Sequence, residues 1–428
     1  MITLISCDSS KTGDDASVAS NSSGSSVTQD WPLFRHDAEG QGQSEENLVP
    51  PLVPLWTYES PLAPGKKRPP LVATPVIMKG RVYFGGQDST FRCLDLATGK
   101  EIWAHECLGG VVGAAAVAGN LVLFGDQAGV LYGLGTEDGK EHWKFETNDK
   151  IEGGINLLEL PVGDGRSAPE TRAFVGSYDT FLYCVNAATG KEIWKIETGN
   201  AIVSTPSLAK TGSQTAVIFG GCDNILHVVS ALTGEKLQEQ EVGAYIANSS
   251  AARDGVVYVG HYGGEVLALD LDSGDRIWTH TGGGEYQSSP AVSKDMVYIG
   301  GRDKKLIALN RIDGTLAWSF TTRRDVDASP VVCRDAVWIA GKDARLYALN
   351  PGHRCRTFAF DLGRRSVPPG YFLRGTPGFC AEDGIVYAFT KSKTVPPSSF
   401  ASLGSQAWKA FRRSRNLSHL LFRQQVQE

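Results

Sequence analysis

Apolar residues along this chain come in short runs punctuated by Gly, Asp and Asn, and the spacing of the runs repeats. The stretch 289–318 shows one period. Ser289 and Pro290 lead into a brief apolar segment that Lys294 and Asp295 turn. Residues 296–299 are continuous in apolar residues, mostly β-branched or aromatic, the pattern of a strand buried on both faces. A glycine-rich turn at 300–303, a further strand at 305–309 and an Asx-type turn at 310–314 follow, and 315–318 opens a fourth strand. Four short strands cannot bury both faces alone, whereas copies stacked around an axis can.

One phrase, from Cys93 through Asp95, Thr98 and Gly99 to Trp103, recurs about every 40 residues, the period of propeller blades. Later copies end at Trp143, Trp194, Trp278 and Trp318, with Gln238 and Phe358 as degenerate members. A turn glycine recurs at Gly99, Gly139, Gly190, Gly234, Gly274 and Gly314. A second column, Gly85, Gly125, Gly176, Gly220, Gly260 and Gly300, ends the second strand. Both columns answer a need for positive φ or close backbone approach. Asp88, Asp179, Asp223, Asp303 and Asp343 form a third column, read as caps for turn N–H groups rather than as metal ligands. A residue present in nearly every repeat serves the repeat.

Seven full cycles and the pieces of an eighth predict an all-β, eight-bladed β-propeller of four-stranded antiparallel blades. The N-terminal strand at 55–58 closes the ring as the outermost strand of the shared blade, which removes the open sheet edges. Residues 375–377 and 384–389 are expected as that blade's first two strands, with the third weak or absent. A seven-bladed ring is the alternative.

The phrase, as in Ala268, Asp270, Ser273, Gly274 and Trp278, resembles the pyrroloquinoline-quinone-like (PQQ-like) propeller repeats over residues 31–390. The resemblance implies that the small first residue, the Gly and the Trp join neighbouring blades, with Cys93 and Cys184 as packing residues. The opening Trp31 to Asp37 is similar to the start of bacterial envelope members. One branch of the family holds quinoprotein dehydrogenases, with the quinone and calcium on the ring axis. The other holds non-enzymatic docking platforms, such as outer membrane assembly lipoproteins of the BamB type.

The resemblance gives the quinone enzymes a clamp of two adjacent cysteines, and no two of the eight cysteines here are adjacent. No haem-attachment motif or zinc-type cluster is present, and no residue stands out as catalytic or as a metal ligand. The expectation is a non-enzymatic platform with no cofactor. The rival is a quinone-dependent dehydrogenase or small-ligand propeller, with PQQ and calcium.

A rigid frame that varies its loops on one face presents a binding face. In the later blades that face offers Arg302, Arg323, Arg324, Lys342, Arg364 and Arg365, with Tyr262, Tyr286 and Tyr371 in the same register. Arg and Tyr favour interface anchoring, so these residues are expected to hold a protein partner. The alternative is a solvated rim partly neutralised by Asp325 and Asp327. The Pro-rich stretch 366–373 is expected as an exposed apolar loop beside them.

Leu4 to Cys7 resembles a lipobox, making Cys7 the expected lipidation site, and the Ser-rich stretch to residue 30 fits a disordered tether. Residues 1–6 are shorter than an ordinary leader, so the match implies a start upstream. The tail 391–428 carries seven Lys and Arg against Glu428 and a helical spacing of apolar residues. It reads as a basic amphipathic helix for a membrane or partner, or as a plain tail. No segment is long and apolar enough to span a bilayer, and a net charge of −5 argues against nucleic acid. The expected location is the periplasmic side of a bacterial cell envelope, with lipid anchoring.

Overall fold

The computed structural model describes residues 30–391 apart from 47, 49–51, 63, 66, 164–167, 353–355, 362–370, 374–375 and 381–383. Cys7 and the tail beyond Lys391 lie outside these. Eight four-stranded antiparallel sheets account for every strand among the described residues. Blades 1 to 7 run in chain order as 76–106, 116–146, 156–197, 207–241, 251–281, 291–321 and 331–361. Blade 8 joins Tyr371–Leu373, Thr376–Cys380 and Ile385–Lys391 to the N-terminal strand Leu52–Glu59.

The expected eight blades and the shared blade are therefore present, with one correction. Blade 8 has all four strands, and the run after Gly384 is its third strand, not its second. Its true first strand, Tyr371–Leu373, lies in the stretch expected to be an exposed loop. First strands here are as short as two residues, too brief to carry a period that sequence could reveal.

Side-chain size explains how blades stack. Within each blade the small residue of the recurring phrase lies across from its aromatic, as Cys93 from Trp103, Gly133 from Trp143 and Ala268 from Trp278. A Cβ on Gly133 would come within 2.3 Å of Trp143. Where the aromatic is lost, at Gln238, the opposing position holds the larger Val228. Each Trp then crosses to the next blade: Trp103 covers Gly139 and donates its indole N–H to Thr136 O at 3.1 Å. Trp56, Trp143, Trp278 and Trp318 repeat the bond, and Gln238 substitutes with an amide donor to Leu271 O at 2.7 Å. Trp194 is the exception; Arg172 occupies Ala231 O at 3.2 Å, and the indole N–H has no partner. Trp56 of blade 8 reaches blade 1 in this way. One apolar cluster spans blades 7, 8 and 1, so the ring is shut.

The segment before blade 8, residues 30–46, lines the inside of the ring. Strand N–H groups of Ile77, Val117, Leu208, Ala252, Val292 and Val332 donate to its carbonyls at 2.8–3.0 Å. These are the innermost edges of blades 1, 2, 4, 5, 6 and 7, which would otherwise be unpaired.

Candidate functional site

The face opposite that segment's anchor points is made of the loops entering each blade and the turns between second and third strands. Backbone bonds fix it at every step. Within a blade, the turn donates to the incoming loop: Gln127 N–H to Gly110 O at 2.9 Å, Tyr262 to Tyr245 at 3.0 Å, Arg302 to Glu285 at 2.9 Å and Lys342 to Asp325 at 3.0 Å. Between blades, Val111, Ile151, Ile202, Ile246, Tyr286 and Val326 donate to the preceding blade's turn. Their side chains drop onto the second glycine column, where added Cβ atoms would meet neighbours at 2.2–2.8 Å. That column therefore answers close approach, whereas the turn glycines adopt φ from 67° to 78°.

Four of the five column aspartates cap these loops as expected; Asp88 instead gives its carboxylate to the buried Arg92 guanidinium. Asp179 accepts from Asn148 N–H at 2.9 Å and Phe181 N–H at 3.1 Å, and Asp343 accepts from Arg323 N–H at 3.1 Å. In blade 2, where the column holds Ala128, Asp126 does the work, accepting from Gly109, Ala128 and Val130 N–H, each at 2.9 Å. In blade 5, His261 Nδ1 accepts from Gly263 N–H at 3.0 Å. Cys93 and Cys184 are fully buried and burial pushes both thiols up to about 12, so they pack and do not react.

The predicted partner residues separate into groups. Tyr286 is 2% exposed and belongs to the core between blades 5 and 6, so it is removed from the face. Its register is occupied elsewhere by Val111, Ile151, Ile202, Ile246 and Val326, a signal visible in the sequence. Arg302 and Lys342 are half-buried and neutralised. Arg302 pairs with Glu285 at 2.8 Å and Asp327 at 3.5 Å, and Lys342 pairs with the same Asp327. Burial works against the Arg302 charge, but Asp327 and Glu285 outweigh it and hold its pKa above the ordinary value. The guanidinium also lies 5.8 Å over the half-buried Tyr262 ring. Arg323 and Arg324 are exposed, and among the described residues neither guanidinium has an ion-pair partner. Tyr371 pairs with Gly378 inside blade 8, whereas Arg364 and Arg365 lie outside the described residues.

Three exposed apolar side chains on this face were missed by sequence reasoning, one of them Leu62, 50% exposed, in the loop entering blade 1. Tyr245, 52% exposed, sits in the loop entering blade 5 beside Tyr262, and Leu108, 71% exposed, in the loop entering blade 2. Both lie in incoming loops already marked as variable, which was the available signal. A separate cluster at blades 2 and 3 centres on Glu152, which accepts from Tyr178 at 2.6 Å, Gln127 at 2.7 Å and Lys150 at 3.1 Å. Burial would raise this carboxyl, but the three donors together hold it below its ordinary value.

Comparison with known proteins places this architecture. The profile of the family described as outer membrane protein assembly factor BamB matches residues 52–154, 151–218 and 222–353. An outer membrane protein assembly factor BamB from Nitrosomonas eutropha is 25% identical over 54% of this chain and 43% of its own. A quinohemoprotein alcohol dehydrogenase, ADH IIB, from Pseudomonas putida is 29% identical over 30% of this chain and 20% of its own. The chain thus matches less than half the length of either relative. Among solved structures, BamB from Moraxella catarrhalis superposes with a TM-score of 0.65 at 14% identity, covering 79% of this chain and 99% of that one. Quinohemoprotein alcohol dehydrogenase from Comamonas testosteroni gives 0.70 at 14% identity, covering 86% and 82%. At these identities the two structures share the propeller fold and no more.

Proposed function

The chain belongs to the family of the outer membrane protein assembly factor BamB, and from that premise we propose a non-enzymatic interaction platform of the bacterial cell envelope. Its loop face docks a protein partner over blades 5 to 7, in the service of outer membrane protein assembly. The observation that carries this reading is the pair Arg323 and Arg324. They are exposed and without an ion-pair partner among the described residues, on a loop pinned by Arg323 N–H to the Asp343 carboxylate and by Lys342 N–H to Asp325 O. Tyr245 and Tyr262 lie on the same face in blade 5, and the Arg302 guanidinium of blade 6 stands over the Tyr262 ring, so the face presents charge and aromatic area on a rigid mount.

The second reading is quinone-dependent oxidation, favoured by the dehydrogenase relatives. Calcium and the quinone call for converging carboxylates and a clamp around the axis. Innermost in the incoming loops stand instead Thr205, Ser249, Ser289 and Ser329, each hydroxyl held at 2.9–3.0 Å by an N–H from the preceding blade. Among the described residues no three His, Cys, Asp or Glu side chains gather, and Cys93, Cys107, Cys184 and Cys222 are free. These residues do not fit the group, and the proposal assigns none to it. In the same reading Cys7 carries the lipid, and the basic segment 391–428 meets the membrane or the partner.

Affinity capture from native envelopes tests the proposal. The double variant Arg323→Ala, Arg324→Ala is expected to lose the captured partner while its thermal midpoint stays within about 2 °C of the parent, because both side chains are solvent-exposed. Undiminished capture contradicts the assigned sector. Reduction of a dye by an alcohol or sugar after addition of PQQ and calcium would favour the dehydrogenase.

A further inference from the structure

The segment 30–46 ties the ring together on its turn face, and its bonding is unlike the rest of the fold. Asp30 accepts from Lys79 N–H at 2.9 Å at one end, and Glu46 O accepts from Arg334 N–H at 3.1 Å at the other. Between them it covers the innermost edges of six blades and buries Trp31 to 1% exposure. Gln41 and Gln43 add contacts through Arg253 at 3.0 and 2.8 Å.

Against these contacts stand two features that oppose docking. Arg35 is 2% exposed and only its Nη2 is bonded, to Pro290 O at 3.0 Å, while Nε and Nη1 have no partner. Burial draws the guanidinium pKa down to about 9, the mark of a cation held where it is poorly solvated. Arg35 and His36 are consecutive non-glycine residues at φ 65° and 83°, in the left-handed region. Gly42 leaves no room beside the guanidinium, since a Cβ there would lie 2.0 Å from Nη2.

We infer that residues 30–46 form a strap that docks and undocks as a unit, closing the axial channel on the face opposite the docking loops while the ring stays shut. Edge pairing and Trp31 favour the docked state; the unpaired buried cation and the left-handed pair favour release. Undocking bares six strand N–H groups along the channel wall without breaking any contact between blades.

Hydrogen exchange of the full chain under native conditions tests this. The amides of Ile77, Val117, Leu208, Ala252, Val292 and Val332 are expected to exchange together, at least a hundredfold faster than those of Ile218, Tyr258 and Tyr298 in the second strands. Arg35→Met removes the buried charge and should slow the group at least tenfold. Gly42→Ala should speed it while leaving the second-strand amides unchanged. The strap is overturned if the six amides exchange only with the second strands, if they exchange independently of one another, or if neither variant shifts their rate.

Discussion

Glycine in this chain does two jobs, positive φ and close approach, and some positions carry both. Gly139 sits at φ 67° beneath Trp103, and an added Cβ would meet the indole at 2.6 Å. Gly80 has a similar φ of 76° but open space around it. Gly139→Ala should therefore lower stability by about 2–4 kcal/mol, combining backbone strain with overpacking, whereas Gly80→Ala should lower it by only about 1 kcal/mol. Urea unfolding of the two variants reads the difference directly. Glu152 makes a pH prediction at the same scale. Its folded pKa lies below the unfolded value of 4.5, so its contribution is complete above pH 4.5 and fades as pH falls through the lower folded value. The stability gap between the parent and Glu152→Gln should be constant from pH 8 to pH 5 and shrink below about 4.5. A gap that instead widens on acidification would refute the assignment of Tyr178, Gln127 and Lys150 as donors to a carboxylate.

At the scale of the element, the turn of blade 2 relies on one acceptor. Asp126 is fully buried and serves three backbone N–H groups and Tyr132, so Asp126→Ala should cost about 2–4 kcal/mol by leaving several of them unpaired. Thermal denaturation checks it, and a loss under about 0.5 kcal/mol would mean that water replaces the carboxylate freely. The aspartate, glycine and tryptophan columns were legible because identical local geometry demands identical residue types in each copy. Tyr286 was misplaced because a tyrosine in a loop register looks like an anchor, although its neighbours in that register are Val and Ile. Blade 8 was misread for a different reason. Tyr371–Leu373 is short and its pairing is carried by backbone, which leaves no pattern in side chains.

The whole molecule is a shut ring with two unlike faces. Closure was readable, since Trp56 at one end and the apolar run after Gly384 at the other each lacked a complete blade. The strap was not, because six blades are held by carbonyl groups that any residue supplies. Partial neutralisation by Asp327 was readable as the alternative; that it falls on Arg302 and Lys342 was not, because it depends on Asp327 reaching both across the blade 6–7 boundary. What the proposal leaves for docking is a smaller set than the charges alone suggest: Arg323 and Arg324 on the loop entering blade 7, with Tyr245 and Tyr262 on blade 5 of the same face. Photocrosslinking in the native envelope tests this most directly, with the reactive residue placed at Tyr245, Tyr262 or Arg324, and at Leu232 or Ile312 on the turn face. The account predicts one protein adduct shared by the three loop-face positions and absent from the two turn-face positions; an adduct confined to Leu232 and Ile312 would contradict it.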